Sequence, residues 1–263
     1  QAAQRTRLAV GDNATWVDPR KAGESPDIYL AMGHTAENVA SLRGISREEQ
    51  DAFALRSQRL ASQAIAEGFF AREIVPVTVG DDSVLSDESV RSETTAEGLA
   101  SLKPVFRPQG TITAGNCCPL SDGAAAVVVM SADKARGLQL SPVARIRSYG
   151  VSALSPEVMG LGPVESTRKA VLQANMSIED VDLVEMNEAF AAQVLPSCHD
   201  LGLDLDRVNV HGGAIALGHP FGMGGARLTT TLLNGLVARD VNVGLVTMCA
   251  AGGQGMSMIV ERI

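Results

Sequence analysis

Residues 123–130 read Gly-Ala-Ala-Ala-Val-Val-Val-Met, eight positions without one polar side chain. Such a run is expected to be a strand covered on both faces, as in sheets that have helices packed against them. The sequence beyond it keeps alternating. Ser131 is placed to cap a short helix, and residues 143–153 read as a second strand. Then come a helix over 164–175, a strand over 181–186, a helix over 187–201 and a short strand near 207–210. A helix over 222–238 and strands over 243–248 and 256–261 complete the series. Strands separated by helical stretches of ten or more residues predict an α/β fold with a largely parallel sheet. The last two strands lie so close in sequence that an antiparallel hairpin is expected there. Only 3% of residues are aromatic and 26 are Gly, which suits helices lying close on a sheet.

The pattern before residue 111 is different. Residues 1–34 are irregular and polar, broken by Pro19, Gly23 and Pro26. Thr35 is placed to cap a helix that Gly44 ends. Ser46-Arg47-Glu48-Glu49 has the form of a capping box. It predicts a long helix to about Ala66, with Phe53, Leu60 and Ala64 on one stripe and Gly68 as its stop. Residues 73–79 alternate as a short strand, and 80–110 are acidic and turn-rich. Residues 1–110 thus read as an accessory region beside the α/β unit.

Charge narrows the function classes. The chain has 22 Lys+Arg against 30 Asp+Glu, a net −8. This balance opposes a broad nucleic-acid surface, which needs many phosphate-neutralising cations. It leaves room for a phosphate-bearing ligand held by one or two arginines. No apolar run approaches membrane-spanning length, so no membrane partner is expected, and Gln1-Ala2-Ala3-Gln4-Arg5 lacks the apolar stretch of a signal peptide. With no initiator Met, the true N-terminus is expected upstream. The four cysteines, Cys117, Cys118, Cys198 and Cys249, show neither a metal spacing nor a C-x-x-C pair. A reduced, cytoplasmic compartment and no bound metal are the simplest expectation.

Three loops carry residue types suited to chemistry. Asn187-Glu188-Ala189-Phe190-Ala191 follows a strand, which places Asn187 at the carboxyl edge of a sheet, either as a ligand-facing amide or as a helix N-cap. From His211 to Gly225, six of fifteen residues are Gly. The backbone there can turn sharply and approach a ligand, and it opens onto a helix N-terminus. The P-loop Lys and the dinucleotide glycine pattern are missing from it. His219, between Gly218 and Pro220, is either a positioned base or a loop histidine bonded to backbone. Cys249 opens the glycine-rich turn Cys249-Ala250-Ala251-Gly252-Gly253-Gln254-Gly255. It is either an inert small hydrophobe or a reactive thiol beside free backbone N–H groups. Cys, His and Asn on loops at one sheet edge form a constellation for acyl transfer.

In this order the three loops resemble the thiolase family: the N-E-A-F-A motif, the G-G-A-I-A-L-G-H-P loop and the terminal C-x-x-G-G-x-G turn. Thr111-Ile112-Thr113-Ala114-Gly115-Asn116, followed by Ser121-Asp122-Gly123-Ala124, is similar to the family's pantetheine-facing loop and the strand after it. Met32-Gly33-His34-Thr35-Ala36-Glu37-Asn38 and Asp87-Glu88-Ser89-Val90-Arg91 resemble stretches of its loop domain. The resemblance covers nearly the whole chain apart from about the first 25 residues. It implies layered α-β-α-β-α mixed sheets with an inserted loop domain, the first repeat being incomplete. Residues 1–118 would be the loop domain, 119–142 the tail of the N-terminal repeat and 143–263 the C-terminal repeat.

The resemblance also implies an activity: acyl transfer between coenzyme A thioesters, in fatty acid metabolism, with CoA as substrate and no permanent cofactor. His219 would activate the nucleophilic cysteine and bind the thioester oxygen. Asn187 would orient a water towards the same oxyanion. Cys249 would shuttle a proton, and the Ala251 N–H would line a second oxyanion hole. Relatives usually have Gly at the position of Ala251, so its backbone must suit a Cβ. Arg91 would meet the CoA nucleotide, and Ala114, Gly115, Cys118 and Phe190 the pantetheine. The acylated cysteine of the family lies in the N-terminal repeat, and none of the four cysteines here has that context. It is expected upstream of Gln1, so this chain alone is expected to bind CoA thioesters without turning them over. A homodimer or homotetramer is implied. The competing readings are an inactive CoA-binding or subunit-interacting remnant and a decarboxylating ketoacyl synthase, whose paired His or His-Asn loops fit less well than the Cys249 turn. A fragment of this kind is expected to leave apolar surface and an open sheet edge around residues 123–130.

Overall fold

A computed structural model describes residues 17–263. The readings made on Gln1 to Arg5, and residues 1–16 of the irregular opening stretch, lie outside the described residues.

The first helix, α1 (Met32–Arg43), starts after Ala31 rather than at Thr35. Thr35 is already inside the first turn, where its Oγ1 donates to the Met32 carbonyl at 2.6 Å, so it caps nothing. Gly44 ends the helix at φ 64°, a left-handed conformation that a Cβ disfavours. The long helix α2 (Arg47–Ala66) begins at the predicted capping box. Ser46 Oγ accepts from the Glu49 N–H at 3.1 Å, and the Ser46 N–H donates to Glu49 Oε2 at 2.7 Å. The strand expected at 73–79 shrinks to β1 (Val77–Val79), an exposed hairpin with β2 (Asp82–Val84). Then follow α3 (Ala96–Ala100) and α4 (Ala132–Gly137), the latter capped by Ser131 as expected.

Residues 123–130 do not form the expected strand, whereas the apolar exposure expected around them is present. They join no sheet among the described residues, and Val128 and Val129 are 86% and 69% exposed. A β-branched run makes a buried strand only when neighbouring strands and a covering layer supply partners, and the described residues place none beside it.

The main sheet comprises β3 (Ala144–Ala153), β4 (Leu183–Met186), β5 (Val243–Ala250) and β6 (Gln254–Arg262), in the order β3-β6-β5-β4. Only β4 and β5 are parallel. The expectation of a largely parallel sheet is thereby corrected to a mixed one. After its tight turn β6 must run antiparallel to β5, and it then occupies the slot beside β3. The strand expected near 207–210 is reduced to isolated bridges, one joining Val184 to Val208. The connecting helices are α5 (Gly162–Gln173), α6 (Ala191–Leu201), α7 (Ala214–Leu217) and α8 (Gly224–Arg239).

Strand alternation assigns the helices to opposite faces. On one face, Leu245 and Ile259 pack with Val164 and Val171 of α5. Thr247 and Ser257 share a 2.7 Å hydroxyl contact there, and Ser257 lies 2.7 Å from Ser166 Oγ of the same helix. On the other face, Val246 and Val260 pack with Leu228, Leu232 and Leu236 of α8. Phe53 and Ala54 of α2 belong to the same core cluster as Val184 and Ile259. The region read as accessory therefore contributes directly to the core. No helix among the described residues is long and apolar enough to cross a membrane.

Glu188 holds these parts together. Its side chain is fully buried just beyond β4. Oε2 accepts from Ser57 Oγ of α2 at 2.7 Å and from the Ile215 N–H at 3.1 Å, while Oε1 accepts from Asn209 Nδ2 at 2.8 Å. Ser57 Oγ in turn accepts from the Gly213 N–H at 3.1 Å. A Cβ on Gly213 would overlap the Glu188 carboxyl, and one on Gly212, at φ 80°, would sit 2.6 Å from the Ala61 nitrogen. Both glycines are thus set by the close approach of this loop to α2 and Glu188. Replacing Glu188 by Ala strands three buried donors, at about 1–3 kcal/mol each. Glu188→Ala is expected to lower the urea-unfolding free energy by at least about 3 kcal/mol. Ser57→Ala should cost about 1 kcal/mol or somewhat more.

Candidate active site

The helix expected to start at 187 begins four residues later, at Ala191, with Phe190 as its N-cap residue. Residues 187–190 are left as a connector from β4. Asn187 is therefore not a helix cap. Its backbone N–H donates to the Thr247 carbonyl at 2.9 Å, and its carbonyl accepts from Gln193 Nε2 at 2.9 Å. The side chain is only 1% exposed, yet neither Nδ2 nor Oδ1 has a protein partner. Just upstream, Asn209 accepts from the Met186 N–H and donates to the Met186 carbonyl, both at 2.8 Å, substituting for a neighbouring strand. Asn209 makes this clamp at φ 46°, which Asn tolerates better than most residues.

The segment 111–118 lies along this connector. Cys117 bridges Phe190 in antiparallel fashion, the Cys118 N–H donates to the Ala189 carbonyl at 3.0 Å, and the Ala191 N–H donates to the Asn116 carbonyl at 2.9 Å. Phe190 is buried in one apolar cluster with Ala189, Ile112, Met159 and Cys249, against which Cys117 also packs. Burial pushes the Cys249 thiol up to about 12. Cys118 is raised to about 12 too, first by burial and then by Cys117. Ala114 is exposed at the loop tip, and Gly115 sits against Leu99 and Leu102. Cys198 is buried in the main core, as expected.

His219 lies on the α8 side. Gly218 precedes it at φ 91°, where a Cβ would overlap Ser121 Oγ. A Cβ on Gly224 would lie 3.3 Å from His219 Cε1 and 3.5 Å from the Met248 methyl. The first residue of α8 is therefore a glycine that leaves room for the imidazole. His219 Nδ1 is buried without a protein partner, which removes the reading of a ring bonded to backbone through that nitrogen. Burial holds its basicity below the ordinary histidine range, and the Arg227 charge adds to the effect. With Leu120, Ser121, Asp122 and Phe221, His219 lines an open cavity of about 290 Å³.

The cysteine cluster and the histidine cavity adjoin at consecutive residues of β5: Met248 reaches the same Gly224 backbone that seats His219, and Cys249 shares the cluster of Phe190. Ala251 is exposed in the following turn. Among the described residues the non-glycine positions at positive φ are Gln139, Asn175, Asn209 and Asp240, so Ala251 keeps a backbone that accepts its Cβ. Arg91 is exposed. Its N–H donates to Gln58 Oε1 at 2.8 Å, and Gln58 Nε2 donates to the Ile215 carbonyl, tying Arg91 to the glycine-rich loop. Sequence reasoning missed Glu188, Asn209, Gln193 and the Glu185–Arg227 pair. The only available signal was their placement within two residues of the motifs or one helical turn beyond them. The described residues contain no cluster of His, Cys, Asp and Glu able to hold a metal.

Residues 26–133 match the family described as "Thiolase, N-terminal domain", and residues 140–262 match "Thiolase, C-terminal domain". A 3-ketoacyl-CoA thiolase of Marinomonas sp. (strain MWYL1) is 49% identical over 256 residues, covering 94% of this chain and 66% of the relative. An acetyl-CoA acetyltransferase of Escherichia coli (strain K12) is 51% identical over 236 residues, 88% of this chain and 60% of that protein. The chain thus spans less than two thirds of the length of these relatives. Among solved structures, Bacillus anthracis acetyl-CoA acetyltransferase superimposes with TM-score 0.87 at 44% identity over 91% of this chain and 62% of that one. Human mitochondrial 3-ketoacyl-CoA thiolase, solved in complex with CoA, gives TM-score 0.85 at 41% identity over 90% and 60% of the two chains. Fold, motif order and both family matches agree: the chain belongs to the thiolase family.

Proposed function

We propose that this chain supplies the acid–base and oxyanion-binding part of a CoA-dependent acyltransferase, which cleaves 3-ketoacyl-CoA with CoA or condenses acetyl-CoA. The observation that carries the reading is the pair of buried polar side chains lacking protein partners at one sheet end, the Asn187 amide and His219 Nδ1. Buried polar atoms of this kind are expensive unless a ligand or water completes them. His219, held neutral by burial, is suited to take the proton of an attacking thiol. The attacking cysteine comes, in this proposal, from residues outside these 263. Asn187 orients a water against the thioester oxygen. Cys249, kept in its thiol form by burial, can give a proton to a leaving carbanion or CoA sulfur. The Ala251 N–H contributes to a second oxyanion hole, where one donor contributes about 3 kcal/mol to barrier lowering.

In the same reading, Ala114, Gly115, Cys118 and Phe190 face the pantetheine arm and Arg91 the nucleotide. Residues 1–118 form the loop domain, 119–142 the tail of the first repeat and 143–263 the second repeat; the gap between the two family matches, at 134–139, supports only the separation of the two repeats. A cytoplasmic homodimer or homotetramer working in fatty acid metabolism completes the proposal.

The complete enzyme is expected to thiolyse acetoacetyl-CoA or longer 3-ketoacyl-CoAs. His219→Ala should lower kcat by about 10²–10⁴. No turnover at any chain length, with His219→Ala indistinguishable from the parent, would sink the reading in favour of a binding remnant. Thiol reactivity gives a second check. With iodoacetamide at pH 8, Cys117 is expected to be alkylated in the native chain before Cys118, Cys198 and Cys249, because burial is the first cause that pushes those three up to about 12. Peptide mass spectrometry before and after denaturation reads the order.

A further inference from the structure

Leu183 and Glu185 lie on the α8 side of β4, and Asn187 follows two residues after Glu185, just past the strand end. Leu183 packs with Leu228 and Leu232 of α8. Glu185 Oε2 lies 3.5 Å from Arg227 Nη1, with the two side chains 3% and 13% exposed. Arg227 stands three residues beyond Gly224, one helical turn from the backbone that seats the His219 ring. The pair therefore joins the strand end that carries Asn187 to the helix turn that holds His219. Stability does not account for it. A buried ion pair at this separation recovers little of its desolvation cost, and apolar side chains could fill the same space.

We propose that Arg227, braced by Glu185, is the positioning residue of this site, fixing the α8 turn under His219 against the end of β4 and presenting one positive charge to the imidazole. The charged groups around the two partners support this. His219 faces Arg227 from α8 and Asp122 from the segment lining its cavity. Glu185 feels Arg227, Glu188 beyond its own strand and Glu73 from the segment after α2. Burial raises the Glu185 carboxyl to about 8 against the opposing pull of Arg227. Arg227 also meets Glu73, Asp87 and Glu188, so below that pH, where Glu185 carries its proton, one fewer carboxylate offsets the charge that acts on His219. Above it the carboxylate forms and offsets the charge. The kinetic consequence rests on the acyltransferase reading, whereas the titration of His219 rests on the geometry alone.

The test is an NMR titration of histidine-labelled chain, with His219 assigned by His219→Gln. Arg227→Met is expected to raise the His219 midpoint, and Arg227→Lys to restore most of it. The parent's His219 signal should show a second inflection near pH 8 that Glu185→Gln removes. An unmoved midpoint in a folded Arg227→Met overturns the proposal. Should Arg227→Met fail to fold, a parent titration without the second inflection overturns it equally. In the complete enzyme, Arg227→Met should lower kcat more than it alters KM and move the acid limb of kcat/KM upward. A shifted titration without turnover in any variant retains the brace and rejects the acyltransferase reading.

Discussion

The fold around the site depends on one carboxyl group buried where water cannot reach it. Glu188 accepts from the long helix through Ser57, from the strand-end clamp through Asn209 and from the glycine-rich loop through Ile215. Burial raises its proton affinity while these three donors lower it. A group so placed is tolerable only when all its partners are present at once. The three segments are consequently fixed together or not at all, and the segments flanking Asn187 and His219 are fixed with them.

That arrangement leaves the reactive groups free of structural duties. Asn187 is anchored through its backbone, so its amide side chain is not consumed in holding the fold. His219 is located by two glycines and by van der Waals contact instead of by a hydrogen bond at Nδ1. Burial is the first cause of the shifts at His219, Cys118 and Cys249, and it favours the uncharged form in each. The charged side chains nearest the histidine are Arg227 behind it and Asp122 in the lining of its cavity.

What could be read from the sequence was local. The Ser46 capping box, the Gly44 stop, the Ser131 cap and the terminal hairpin follow from rules acting over a few residues, and the structure has them. Motif order carried the family. Partner-dependent features were not legible. Residues 123–130 have strand composition, but a ladder needs a neighbour that composition cannot specify. Sheet direction was misjudged because β6 inserts between β5 and β3, a choice made by packing. Asn187 looked like a cap because helix starts prefer Asn, whereas the Asn116–Ala191 and Ala189–Cys118 bonds keep the connector out of the helix. Glu188 was inside a recognised motif and still went unassigned, since nothing local shows that its partners come from residues 57, 209 and 215.

The strand order has a consequence for how the molecule is made. β6 is the last of the described strands and yet occupies an interior position in the sheet, and among the described residues it is the only ladder partner of β3. Ala144 pairs with Arg262, so β3 must wait on the ribosome for well over a hundred residues of synthesis before it can be matched. Until then its edge is open, and holding chaperones have an obvious place to act. Loss of β6 would accordingly part β3 from the β5–β4 pair instead of trimming the border of the sheet.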